Sequence, residues 1–450
     1  MNLTMRRDAE HGMISPGRTA SRCRGNPVSL TRPLHAEVDP RDVAVVILGG
    51  GRGTRLHPLT RDRAKPAVGF GGKYRLIDIV LTNCLRSKLD SIFILTQFNS
   101  YSLNRHIWQT YSRAATGLSY INVIAAEQTP QNRDWFQGTA DAVRQGLRHM
   151  LRNNPRYVLI LSADQIYSMD YREFLAWHLG HKADVTIAAR YTPPEQVHAL
   201  GVVRVNESLR VVGFHEKPKN LADVEAFRVD GLPALRPPQG APFLCSMGIY
   251  LFNTPVLLDA LDNREEDFGR TVIPQTAQKR LMSCFPFDGY WEDVGTIEAF
   301  YQANMEWRAG RGIAAMFHRG ASIITHARQL PPTRIEGTLI DDSLVADGCH
   351  LHAQHIARSI IGVRARIGDG TVIHDSILMG NDDDEGPVPF EIGANCRIRR
   401  AIVDKNAVIG DGSVIENAAG VAEAETDLYS IRSGIVVIPR CAVLPPGARI

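Results

Sequence analysis

From Ile361 onward, aliphatic residues recur every six positions: Ile361-Gly362, Ile367-Gly368, Ile373-His374 and Met379-Gly380. Aliphatic residues spaced by six are the mark of a parallel β-helix, in which each stacks on its equivalent one face along. An acidic insertion, Asn381 to Glu385, interrupts the pattern, and the step returns at Val403, Ile409 and Ile415. An ordinary β-rich domain is the competing reading, and four consecutive hits weigh against it. The repeat confines the last part of the chain, 336–450, to one architecture.

The preceding part, 43–306, obeys a different rule. Apolar strand-like runs recur at Val43 to Leu48, Ile92 to Thr96, Tyr120 to Ala125, Tyr157 to Leu161, Val185 to Ala189 and Met247 to Phe252. Helical patterns lie between several of them: Leu76, Val80, Cys84 and Leu85 share one face, as do Ala142, Gln145-Gly146 and His149-Met150 less cleanly. Strands alternating with helices imply an α/β domain with a mostly parallel sheet covered on both sides. In such sheets ligands bind beyond the carboxyl ends of the strands. Between the two domains, 307–335 carries Arg-Ala-Gly-Arg-Gly and Pro331-Pro332 and reads as a linker.

The first run leads into Gly49-Gly50-Gly51-Arg52-Gly53-Thr54-Arg55-Leu56. Glycine lets a backbone approach a ligand closely, and its amides can converge on phosphate oxygens. Arg52 and Arg55 add fixed positive charge suited to phosphate. A P-loop is excluded because no Gly-Lys-Ser/Thr triplet follows, and the dinucleotide fingerprint is excluded because position 54 is Thr54. A phosphate-bearing ligand is expected, against the blander alternative of a tight strand exit with chance arginines. Asp164 closes the run Leu159 to Ala163 at another strand end, where a turn or helix-cap aspartate is the alternative to a ligand role.

Net charge is +3, so no polyanion partner is implied and nucleic acid is not expected. No apolar run reaches the roughly eighteen residues that span a bilayer. The seven cysteines are odd in number and lack C-x-x-C spacing, which argues against a disulfide framework or a zinc site and fits a reducing compartment. Residues 1–42 are rich in Arg, Ser, Gly and Pro, lack an apolar core, and read as a disordered tail. Cytoplasmic residence is expected, with a plastid stroma as the alternative, because the tail's Arg/Ser bias is offset by Asp8, Glu10, Glu37 and Asp39.

The glycine loop followed by Arg63-Ala64-Lys65-Pro66-Ala67-Val68 resembles the sugar-1-phosphate nucleotidyltransferases and, within them, the ADP-glucose pyrophosphorylases. Further matches are Gly72 to Asp78, Leu95 to Asn99, Trp135 to Asp141, Phe214 to Pro218, Ser246 to Tyr250 and Tyr290 to Thr296, so the resemblance runs from about Val43 to the last residue. It implies a Rossmann-like catalytic domain followed by a left-handed parallel β-helix with a regulatory and assembly role, in a homotetramer. It implies that ATP and glucose 1-phosphate give ADP-glucose and pyrophosphate, for glycogen or starch synthesis.

The resemblance also assigns roles residue by residue. ATP is expected at Leu48, Gly49, Gly50, Gly51, Gly53, Thr54, Arg55, Gln97 and Gly138. Glucose 1-phosphate is expected at Phe136, Gly201, Glu216, Lys217 and Ser246. Asp164 and Asp293 are expected to hold Mg²⁺, with Arg55 and Lys65 beside the phosphates. Arg63, Arg432 and Arg440 are implied as effector residues for anionic metabolites such as 3-phosphoglycerate and phosphate. Lysines stand at 432 and 440 in members from oxygenic phototrophs, and Asp62 stands where fructose-bisphosphate-activated members carry lysine. Ser162-Ala163-Asp164 departs from the family's glycine before the aspartate, and Phe136 replaces a tyrosine of some members. Three rivals remain: a pyrophosphorylase for another nucleotide or sugar; a bifunctional enzyme whose β-helix, bearing His352, His355 and His374, carries acyltransferase activity; and a non-catalytic regulatory subunit. The last should have lost some of Arg55, Asp164, Lys217 or Asp293, and all four are present.

Overall fold

A computed structural model describes residues 39–112, 120–128, 130, 133–314, 322–381 and 391–450. The predicted tail therefore lies outside the described residues up to position 38, as does most of the acidic insertion. The last residues of that tail, Pro40–Asp42, form a 3₁₀ turn whose start Asp39 caps through a bond from the Arg41 amide.

The catalytic-domain strands are β1 (Val43–Leu48), β2 (Gly69–Phe70), β3 (Tyr74–Arg75), β4 (Ser91–Thr96), β5 (Tyr120–Ala125), β6 (Tyr157–Ser162), β7 (Gln165–Tyr167), β8 (Val185–Thr192), β9 (Gly201–Val205), β10 (Val211–Glu216), β11 (Phe243–Asn253), β12 (Met282–Phe287) and β13 (Trp291–Asp293). The principal sheet runs β10-β9-β11-β6-β1-β4-β5, and β8 and β12 extend it from β11. β6, β1, β4 and β5 are parallel, as are β8 and β12, while β11 runs antiparallel to β6, β8 and β9. β1 is thus a central strand, and its run Val43 to Ile47 is buried on both faces, as an all-apolar strand requires.

Two apolar layers flank the sheet. On one side Ala140, Val143 and Met150, from the helix Thr139–Met150, pack with Val46, Leu95 and Ile160. On the other, Ile77, Val80, Leu81 and Cys84 from the helix Leu76–Arg86 pack with Val45, Ile47 and Ile94. This helix is buried nearly all round because two more of its apolar residues, Leu76 and Ile79, face a second layer that includes the β-helix.

The C-terminal domain winds three sheets into a prism, parallel throughout except where Ala424–Glu425, Ser430–Arg432 and Ile435–Ile438 pair antiparallel. Three aliphatic ladders fill it. Leu351, Ile367, Ile392, Ile409 and Leu444 stack in register on one face. Ile340, Ile356, Ile373, Ile398 and Ile415 form the second. Val345, Ile361, Leu378, Val403 and Ile438 form the third. The six-residue step therefore moves the chain from face to face, and stacking occurs one full turn later. Met379 is the exception to the sequence reading. Leu378 takes its ladder place, and Met379 is buried against the catalytic domain instead.

The same sheet face turns Ile360, Ile377, Ile402 and Val437 outward onto Leu56, Val68, Phe70 and Phe300 of the catalytic domain. These four outward residues are at most 2% exposed, and their burial contributes of order 10 kcal/mol to docking. The segment predicted as a linker is itself tied down. The Ile324 amide donates to Thr82 Oγ1 at 3.0 Å, and Thr325 Oγ1 donates to buried Asp78 at 2.6 Å. Asp78 also accepts from Tyr111 Oη at 2.8 Å and meets His106 Nε2 at 2.6 Å. The first β-helix strand, Arg334–Ile335, begins at the predicted linker's end.

Candidate functional site

The parallel register fixes the site. Leu48 at the end of β1 stands opposite Leu95 on β4 and Ser162 on β6. The residues just beyond these ends are the glycine loop, Gln97 and Asp164. Together they open one cleft of about 510 Å³. Leu48, Gly49, Gly50, Gly51, Gly53, Arg55, Lys65, Gln97, Gly138, Asp164 and Asp293 line it, as do Phe136, Gly201, Glu216, Lys217 and Ser246. Thr54 does not line it; it opens a 3₁₀ turn just outside. Arg63, Arg432 and Arg440 lie elsewhere.

Glycine is required at particular points of this cleft. Gly53 adopts φ 64°, and a Cβ there would stand 3.0 Å from Thr60 Cγ2. At Gly138 an added Cβ would lie 2.3 Å from the Glu266 carbonyl oxygen. At Gly201 it would lie 2.4 Å from the Phe214 ring and 2.6 Å from Glu216 Oε2. Gly248, at φ 70°, lies in the irregular step between Ser246 and Ile249 of β11. Its amide donates to Ser246 Oγ at 3.1 Å.

At the cleft's centre, Lys65 Nζ lies 2.9 Å from Asp164 Oδ2 and 3.1 Å from Asp293 Oδ1. Arg55 Nη2 stands 3.9 Å from Asp293 Oδ2, and Ser162 Oγ donates to Asp164 Oδ1 at 2.5 Å. Burial pushes the Asp164 carboxyl up, but Lys65 and Ser162 outweigh it and hold the group below the ordinary 3.8. Burial likewise works against the Lys65 charge, and the two aspartates outweigh it and raise its pKa. The carriers of these aspartates are registered to each other. Asp293 on β13 pairs with Gln165 on β7, and Trp291 Nε1 donates to Gln165 Oε1 at 3.1 Å. Arg190 lies over the Trp291 ring at 4.9 Å and donates to its carbonyl at 3.1 Å.

The donor set fits a hard divalent cation. One carboxylate from the turn between β6 and β7 and one from β13 converge on one positive charge, and magnesium takes one or two protein carboxylates plus phosphate and water oxygens. Among the described residues no group of three metal-ligating side chains forms, so a site built wholly of protein ligands is not on offer.

Elsewhere in the cleft a carboxylate and an ammonium stand side by side. Glu216 and Lys217 close β10, with Lys217 Nζ 3.6 Å from Glu216 Oε1. Burial raises the Glu216 carboxyl above its ordinary range despite this lysine. Lys217 sits at φ 47°, a conformation L-residues adopt at a cost and keep where the surroundings enforce it. Asp267 lines the same end; its Oδ1 caps the following turn through the Arg270 amide at 3.0 Å. Sequence reasoning did not single out Asp267, Gln165, Trp291 or Tyr250. The first lies in an acidic stretch, Glu265-Glu266-Asp267, that reads as solvated surface. At the other end, Gln97 Nε2 donates to the Phe136 carbonyl at 3.3 Å, and its Oε1 is buried without a hydrogen-bond partner.

The three candidate effector arginines lie where the last β-helix coils meet the catalytic domain. Arg63 forms a buried ion pair with Asp404, its Nη2 2.5 Å from Oδ2, and its Nε donates to the Leu59 carbonyl. Arg432 contacts Glu425 and Glu423 and donates to the Ala424 carbonyl at 2.8 Å. The Arg440 carbonyl accepts from Arg61 at 3.4 Å. Arg432 and Arg440 flank the strand Ile435–Ile438. On the β-helix exterior, His374 Nε2 and His355 Nδ1 stand 3.2 Å apart, and His352 faces Glu336 instead.

Two family profiles match the chain in sequence order. The nucleotidyl transferase family matches residues 44–310, and the GLGC left-handed parallel beta-helix domain matches residues 328–448. The chain is also 42% identical to the chloroplastic/amyloplastic small subunit of glucose-1-phosphate adenylyltransferase from Triticum aestivum, over 92% of its own length and 93% of that protein's.

Proposed function

We infer that this chain, which belongs to the nucleotidyl transferase family and within it to the glucose-1-phosphate adenylyltransferases, transfers AMP from ATP to glucose 1-phosphate. The products are ADP-glucose and pyrophosphate, for starch or glycogen synthesis. The observation that carries the reading is the cleft itself. A glycine loop, two carboxylates around one ammonium, and the Glu216–Lys217 pair share a single space.

In the reaction a glucose 1-phosphate oxygen attacks the α-phosphorus of ATP, and the bond to the leaving pyrophosphate breaks. The chain's part is positioning and charge neutralisation. The loop amides and Arg55 hold the β- and γ-phosphates. Lys217 holds the sugar phosphate, while Glu216 and Asp267 accept from sugar hydroxyls. The Gln97 amide, which lines the cleft beside the glycine loop, suits adenine. Asp164 and Asp293 hold Mg²⁺, which when bound supplies charge stabilisation at the phosphates.

Arg432 and Arg440 serve an anionic effector, with Arg63 joining their domain to the catalytic one. A homotetramer and a reducing compartment, cytoplasm or plastid stroma, complete the reading. The thiols of Cys84, Cys245, Cys284, Cys349, Cys396 and Cys441 are free, which suits such a compartment.

The test is pyrophosphate release from ATP and glucose 1-phosphate with Mg²⁺. Asp164→Asn is expected to lower kcat by about a hundredfold or more, the scale of one lost preorganised electrostatic contact. Near-normal turnover in that variant overturns the assignment.

A further inference from the structure

We propose that Lys65 holds the cation position between Asp164 and Asp293 until nucleotide arrives, so that the divalent metal enters together with the nucleotide's phosphates and not before them. This rests on the reading of Asp164 and Asp293 as the metal carboxylates.

The geometry is specific. Lys65 Nζ is within 3.1 Å of one oxygen from each aspartate, and its side chain is 8% exposed. The other Asp164 oxygen is taken by Ser162 Oγ. A magnesium ion bound to the same oxygens at its usual ~2.1 Å would stand against the ammonium with the repulsion of two bare charges. One of the two must leave.

The lysine can leave only by moving its side chain. Its backbone is fixed by the turn Lys65–Ala67, by Pro66, and by the Ala64 amide bonded to the Asn99 carbonyl at 3.0 Å. Its Cβ packs 3.2 Å from where a Gly53 side chain would begin. The ammonium therefore swings on its own stem, from the carboxylates toward the glycine loop that lines the same cleft.

Charge accounts for the order of events. The two carboxylates are balanced by Lys65 and by Arg55, 3.9 Å from Asp293. A metal ion arriving alone finds little net negative charge and a cation already seated. A triphosphate brings the missing negative charge and gives the displaced ammonium a new partner. Metal loading and nucleotide binding are coupled for this reason, and each strengthens the other.

The experiment is a Mn²⁺ titration of the full-length protein without nucleotide, with free metal read by electron paramagnetic resonance. The wild type is expected to show no site tighter than about 1 mM, and Lys65→Met is expected to gain one site per chain, at least about tenfold tighter, because the competing charge is gone. Adding Asp164→Asn to Lys65→Met should abolish that site. A tight wild-type site that Asp164→Asn removes overturns the role of Lys65 and upholds the metal carboxylates. A Lys65→Met site indifferent to Asp164→Asn overturns the carboxylate assignment itself. If Lys65→Met does not fold, Lys65→Gln takes its place with the same expected gain, and a folded variant that gains no site overturns the proposal.

Discussion

Removing the charge of Asp404 tests how the two domains are joined. Arg63 and Asp404 are 3% and 1% exposed, and Arg63 Nη2 lies within 2.6 Å of both carboxylate oxygens. Arginine keeps its charge in a protein, so Asp404→Asn leaves a buried guanidinium without its counter-charge. Breaking a buried pair from one side costs about 3–5 kcal/mol. Coulomb's law gives the same scale, ~4 kcal/mol for charges 4 Å apart at an effective dielectric constant of about 20. The apolar interface, of order 10 kcal/mol, is larger, so the domains stay docked while stability falls. Replacing both partners by apolar groups, Arg63→Met with Asp404→Leu, removes the stranded charge and should recover most of the loss. Recovery stops short by about 1–3 kcal/mol, because the Lys405 amide loses the bond it donates to Asp404 Oδ1 at 2.6 Å and the Leu59 carbonyl loses the bond it accepts from Arg63 Nε. The assay is urea unfolding of wild type, Asp404→Asn, Arg63→Met, Asp404→Leu and the double variant, followed by tryptophan fluorescence and circular dichroism. Trp307 packs edge-on against Phe70 and Tyr74, in the apolar layer shared with the β-helix, and reports on that layer. Single variants that cost under about 1 kcal/mol, or costs that simply add in the double variant, refute a buried and mutually dependent pair.

Three further outcomes are expected. Lys217→Ala should raise KM for glucose 1-phosphate about tenfold or more and leave KM for ATP nearly unchanged, since one charge-assisted contact is lost on one substrate only; initial rates with each substrate varied check this. Burial raises the Glu216 carboxyl above 4.5, and the ionised form is the hydroxyl acceptor, so sugar binding is present above the raised pKa and lost as pH falls through it. A pH profile of kcat/KM for glucose 1-phosphate should show this acid limb, and Glu216→Gln should remove it, leaving only the substrate phosphate that titrates near pH ~6. Arg432→Ala with Arg440→Ala should abolish stimulation by 3-phosphoglycerate, a coupling of about 1–3 kcal/mol; equal fold-activation across an activator titration in wild type and variant would place the effector elsewhere.

The ladders of the β-helix were legible because a narrow prism admits only aliphatic residues at each inward position, which leaves a spacing in the sequence. The spacing misassigned Met379 because a neighbouring domain buries the residue beside Leu378, and burial from outside looks the same as burial from inside. In the catalytic domain the strand ends announced the glycine loop and Asp164. The reversed direction of β11 did not show, because an apolar run reads alike in either sense. Asp267, Gln165 and Asp404 acquire their roles from partners far along the chain. Asp404 in particular sits in Val403-Asp404-Lys405, which reads as solvated until the catalytic domain covers it. Arg63 could be picked out by its place beside Lys65, but its partner could not.

The central claim is that the cleft joins adenine nucleotide to glucose 1-phosphate, and one substrate matrix tests it directly. Initial rates of pyrophosphate release are measured with ATP, GTP, UTP and dTTP against several sugar 1-phosphates, each in the presence of Mg²⁺. The account predicts that ATP with glucose 1-phosphate has the highest kcat/KM, and that Asp164→Asn abolishes it. A different nucleotide or sugar preferred over this pair would contradict the account.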